Sequence, residues 1–140
     1  MPQRDDARDP VATYLTNRGA SDQLRHAGLR GLITRWSVIA RDAAHYDLTI
    51  DDWLNDVDLR DMIAGAMAVA PDAERHAVAQ ALDDADESFR SATMATKRSL
   101  WGDPVSVADN HDPQQQWWYF RRPAHPGKTM RADLTAAGVD

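Results

Sequence analysis

The chain has 140 residues, 43% of them hydrophobic, with five Trp and no Cys, and its 22 acidic and 16 basic residues give a formal net charge of −6. That length fits one domain with a sizeable core, and the acidic balance disfavours a phosphate-tracking surface, so nucleic acid is not an expected partner. Lack of Cys excludes disulfides and thiolate metal sites and suits a reducing cytoplasm, while neither the charged residues 1–10 nor the longest apolar stretch, 62–69, provides a secretory h-region or a membrane span.

In chain order, residues 1–10 read as a flexible leader ending at Pro10, and a short helix over 11–18 runs up to Gly19. Ser21 is a good N-cap for a longer helix in which Leu29, Leu32, Ile33, Trp36, Ile39, Ala40 and Ala43 recur at helical spacing. Gly28 and Gly31 weaken its start by about 1 kcal/mol each relative to Ala, which marks close packing or a later start. Thr49 with Asp52 three residues on approximates a capping box and opens a short helix carrying Trp53 and Leu54. Asp58 is expected to cap a further helix through Leu59, Met62, Ile63, Ala66 and Met67, which stops before Pro71. Pro71 and Asp72 open the longest predicted helix, to about Arg98, with Val78, Ala81, Leu82, Ala85, Phe89 and Ala92 facing inward. It would span about 40 Å at ~1.5 Å per residue, with Lys97 and Arg98 at the negative end of its dipole.

Beyond Gly102 the composition changes. Residues 103–113, rich in Asp, Asn and Pro, read as a surface loop, and the run Trp117-Trp118-Tyr119-Phe120 reads as an extended arm. Pro123, Pro126 and Gly127 break the chain before a last short helix over 128–137. The expected architecture is all-α: a compact bundle of four to five helices over 11–101, with the loop, the extended aromatic arm and the terminal helix of 102–140 packed on it.

Four consecutive rings concentrate a large apolar area in a short segment. If that segment is extended, Trp117 and Tyr119 point one way and Trp118 and Phe120 the other, so burying one pair leaves the second for a partner. Trp, Tyr and Arg are enriched at interface hot spots, which makes Trp117, Trp118, Tyr119, Phe120, Arg121 and Arg122 candidate partner-binding residues, together with Asp51, Asp52 and Asp56 as an acidic docking face. In the competing reading the bundle covers both faces of the arm, and the two arginines pair with the acidic stretch 51–61.

Carboxylates also recur at helical spacing: Asp58 with Asp61, Asp83 with Asp86, and Asp84 with Glu87. Two such pairs facing one another could hold Mg²⁺ through oxygen ligands. In spacing this resembles the all-α nucleotide pyrophosphatases and the aspartate-rich helices of isoprenoid synthases, and the resemblance implies a Mg²⁺-dependent phosphate-ester or nucleotide pyrophosphate hydrolase as the alternative function. His26, His45, His76, His111 and His125 are scattered without an HExxH or ExxH pair, so no metal site is read from histidine and no cofactor is expected. The reading placed first is a small acidic interaction module rather than an enzyme. In size, charge and helicity the chain is similar to bacterial toxin-immunity proteins, which implies an inhibitor that covers a basic partner surface. Its expected partner is a protein or a second copy of itself, in the cytoplasm and away from membranes.

Overall fold

Side-chain caps mark where the first three helices begin, whereas the last two start after Pro71 and Gly127 without one. The computed structural model describes residues 9–102 and 111–139; nearly all of the predicted leader and most of the predicted loop, residues 1–8 and 103–110, lie outside the described residues. Helix α1 spans Pro10–Arg18, with the Asp9 carboxylate accepting from the amides of Val11 and Ala12 and Gly19 closing the helix in the left-handed region at φ 81°. Helix α2, Asp22–Asp42, starts under Ser21, whose hydroxyl accepts from the Leu24 amide. Gly28 interrupts it with φ 66° and ψ −174°, a conformation open to glycine and little else, so α2 is two helical segments joined at a kink.

After a 3₁₀ turn at Ala43–His45, helix α3 runs over Ile50–Val69 behind a complete capping box of Thr49 and Asp52. Here the structure corrects the sequence reading, for residues 50–69 form one helix and Asp58 caps nothing. No breaker separates Trp53 from Leu59, and the Asp58 carboxylate is engaged instead by Arg18 and Tyr119. Helix α4, Asp72–Ala92, is also shorter than expected, about 31 Å at ~1.5 Å per residue. Thr93 is extended, its hydroxyl donates to the Phe89 carbonyl, and strand β1 (Thr93–Ala95) begins there. Lys97 and Arg98 therefore lie beyond the strand and serve no helix terminus.

The aromatic run departs from extended backbone. Residues Trp117–Phe120 form a 3₁₀ turn, and only Arg121–Pro123 is extended, as β2 antiparallel to β1 with Thr93 opposite Pro123 and Ala95 opposite Arg121. A strand would send alternate rings to opposite faces, whereas a turn of three residues per revolution fans consecutive rings around its axis. The fan explains why Trp118, Tyr119 and Phe120 are all buried, at 2%, 3% and 8% exposure. The last helix, α5, spans Lys128–Ala136 and is tied back by Asp133, which accepts from the Ile50 amide at 2.9 Å, and by Asp47, which accepts from the Thr129 amide at 2.7 Å.

The result is an all-α bundle of five helices with one two-stranded ribbon among the described residues. Helix α2 packs mainly on α4, α1 packs on α3, and the 3₁₀ turn of the aromatic run lies on α3. Phe89 sits at the centre of the core, with ring centroids of Trp36, Trp53 and Trp117 at 4.7, 5.6 and 6.0 Å, so one ring of α4 meets a ring from α2, one from α3 and one from the C-terminal segment. No helix among the described residues is long and apolar enough to cross a membrane.

Candidate functional site

The structure separates the residues that sequence pattern had grouped. Trp118, Tyr119 and Phe120 are core, and Trp117 is partly buried between Phe89 and the Arg90 guanidinium, which lies 3.9 Å from its ring centroid. The expected second, outward-facing pair of rings is not there. Arg121 is turned onto the end of α4, with its Nε donating to Thr93 Oγ1 at 2.6 Å and its terminal nitrogen donating to the Arg90 and Thr93 carbonyls. Burial, and then the nearby Arg90 charge, hold its pKa below the ordinary arginine value. Arg122 stands opposite Met94 in the ribbon and is half-buried. Neither arginine makes an ion pair with residues 51–61.

The carboxylate pairs do not converge, which corrects the expected Mg²⁺ arrangement. Asp86 is 7% exposed and accepts two parallel bonds from Arg60, at 2.8 and 3.0 Å, and a third from the Trp36 indole at 2.9 Å. Its charge is balanced internally, and the Arg60 guanidinium also lies 4.6 Å from the Trp118 ring. Asp83, Asp84 and Glu87 occupy the exposed face of α4, and Asp84 accepts from Gln80. Asp58 and Asp61 share Arg18, whose Nη2 lies 3.1 Å from an oxygen of each. Among the described residues no three His, Asp or Glu side chains come together as a metal-binding group.

Around Arg18 a polar network links α1, α3 and the aromatic turn. Arg18 donates to Tyr14 Oη at 2.8 Å and to Asp58, and Tyr119 Oη donates to the same Asp58 oxygen at 2.5 Å. Burial alone would lower the Arg18 pKa, but the neighbouring Tyr14, Asp58 and Asp61 outweigh it and hold the guanidinium above its usual range. For Tyr119 burial comes first and the bond to Asp58 second, and both raise its pKa. The Tyr14 ring fits because α3 carries Gly65 where the phenol crosses, and a Cβ there would overlap it.

Beside this network, α2 and α3 leave a cavity of about 210 Å³. Leu24, Ile39, Leu59 and Met62 supply apolar lining, and Asp56, Asp58, Asn55 and Arg35 supply polar lining. The kink at Gly28 shapes it, since Ser21, Gln23 and Leu24 come from the segment before the kink and Arg35 and Ile39 from the segment after it. Asp56 accepts from the Tyr46 hydroxyl at 2.7 Å, a neutral donor, and makes no direct ion pair among the described residues, although Arg35 lines the same cavity. Burial and that bond raise the Tyr46 pKa, so the phenol stays protonated. One turn earlier, Asp51 and Asp52 are exposed, Asp52 closing the capping box. Of the residues expected to bind a partner, Asp56 alone lines this cavity; Asp51 and Asp52 flank it in sequence, and the aromatic run contributes elsewhere as core.

Sequence reasoning missed the groove. Nothing in the sequence marked it, since Ile39 shares the predicted stripe with Trp36 and Ala40, and its partial exposure beside their full burial is seen only in the structure. Compared with protein-family models, curated proteins and solved structures, the chain has no match.

Proposed function

We propose that the chain is a small acidic binding module of the cytoplasm that takes a basic, amphipathic segment of a partner protein in the groove between α2 and α3, in the manner of an inhibitor covering a basic surface. The observation that carries this reading is the composition of the groove: four apolar side chains beside Asp56, which is hydrogen-bonded to a phenol and, among the described residues, directly ion-paired with no arginine, and beside Asp58, against the single lining cation Arg35, with Asp51 and Asp52 exposed one turn away. Apolar lining supplies affinity on burial, and the carboxylates select a Lys or Arg on the incoming segment. A chain of net charge −6 is electrostatically a poor partner for its own acidic groove, which favours a separate basic protein over a second copy. The hydrolase alternative draws no support from the geometry, because the carboxylates it needs are spent on arginines or spread over solvent.

Methyl-resolved NMR titration tests the reading with two peptides, an amphipathic Leu/Lys helix and its Leu/Glu counterpart. The Leu/Lys peptide is expected to shift the methyls of Leu24, Ile39, Leu59 and Met62, with affinity falling about fivefold in Asp56→Asn, roughly 1 kcal/mol for a partly exposed charge pair. Shifts located elsewhere, or equal binding of both peptides, would overturn it.

A further inference from the structure

The fold brings together two histidines that stand 80 positions apart in the chain. His45 ends the 3₁₀ turn between α2 and α3, and His125 lies in the short connection from β2 to α5. Two backbone bonds fix these segments against each other: the His125 amide donates to the Ala44 carbonyl at 2.8 Å and the Gly127 amide to the Tyr46 carbonyl at 3.0 Å. Both imidazoles are exposed, with ring centroids 5.7 Å apart and planes inclined by 24°.

That separation is in the range for shared ligation, and since an imidazole lone pair lies in its ring plane, the two stacked rings converge on one cation by turning edge-on, which their exposure permits. With a metal–nitrogen bond of about 2.0–2.1 Å and a ring centre about 1.2 Å behind the nitrogen, two imidazoles on one cation have centroids roughly 5 to 6.5 Å apart for ligand angles from tetrahedral to linear. We propose that His45 and His125 form a two-imidazole site for a first-row transition cation of the Zn²⁺, Ni²⁺ or Cu²⁺ kind, stapling the α2–α3 connection to the segment that leads into α5. Imidazole selects these borderline cations over Mg²⁺ and Ca²⁺, which prefer oxygen. Because no third His, Asp or Glu joins the pair among the described residues, the remaining coordination positions belong to water or to a ligand from outside. The two histidines come together only in the folded chain, so a cation held by both binds the native state in preference to the unfolded one and stabilises the fold.

Thermal melts followed by circular dichroism test the site with the metal ions alone. Zn²⁺ or Ni²⁺ in modest excess is expected to raise the Tm of the intact chain by a few degrees, reversibly with a chelator, and Mg²⁺ to leave it unchanged. The rise should vanish in His45→Ala and in His125→Ala and persist in His76→Ala, which alters an exposed histidine on α4. Metal-free melts of the two variants near that of the parent establish that their loss is one of binding and not of folding, and His45→Gln serves if the alanine variant melts early. Cu²⁺ spectroscopy gives a second reading, with two nitrogen ligands in the parent and one in either variant. No rise in the parent, or the same rise in His45→Ala or His125→Ala, overturns the proposal.

Discussion

Tyr119 illustrates how much one side chain can hold. Its ring is core, stacked on His111 at 4.7 Å and edge-on to Trp101 at 6.2 Å, while its hydroxyl reaches Asp58 on α3. Burial and that bond raise its pKa above the ordinary phenol value, as burial and Asp56 do for Tyr46. In the unfolded chain both phenols titrate near pH ~10. Above that pH the unfolded state loses protons that the folded state keeps, so stability is full below pH ~10 and falls as pH rises beyond it. Urea unfolding at pH 8 and pH 11 should therefore reveal a larger loss for the parent than for Tyr119→Phe, by about 1 kcal/mol since one fully uncoupled group contributes up to ~1.4 kcal/mol per pH unit. Equal losses would mean that this phenol is not held protonated by the fold.

Between elements, the strongest polar tie is Arg60 of α3 with Asp86 of α4, completed by the Trp36 indole of α2. Removing one partner strands a buried charge, so Asp86→Ala should destabilise by about 3–5 kcal/mol, whereas Arg60→Met with Asp86→Leu should cost far less. Chemical denaturation of the single and double variants measures this, and comparable losses in both would show that packing rather than charge dominates the contact. The sequence reading grouped Asp86 with Asp83, because residues three apart lie near one face of a helix. What separates them is which side chain the neighbouring helix presents, and that is decided by tertiary packing. Two helix starts were readable for the opposite reason. Ser21 and Thr49 act within three residues of themselves, and both cap as their sequence predicts. The end of α4 was not readable, since Thr93 leaves the helix to pair with Pro123, a partner 30 positions away.

For the whole molecule, the five-helix architecture followed from periodicity and caps, and the role of the aromatic run did not. Trp117-Trp118-Tyr119-Phe120 has the composition of an interface hot spot and of a core in equal measure. Local pattern could not foresee a 3₁₀ turn that inserts three successive rings. The groove was hidden likewise, because Leu24 and Ile39 lie on either side of the Gly28 kink and meet Leu59 and Met62 only once α2 and α3 pack. The C-terminal aromatics close the core of this chain, and in the function proposed above recognition falls to a different part, the acidic start of α3. Urea unfolding of the parent and of Trp118→Ala at two widely separated protein concentrations tests that division directly. A Trp in the core predicts a parent midpoint independent of concentration and a loss of about 3–5 kcal/mol in the variant at both concentrations. A parent midpoint that rises with concentration, and a variant that loses only that rise, would place Trp118 in an interface and contradict the account.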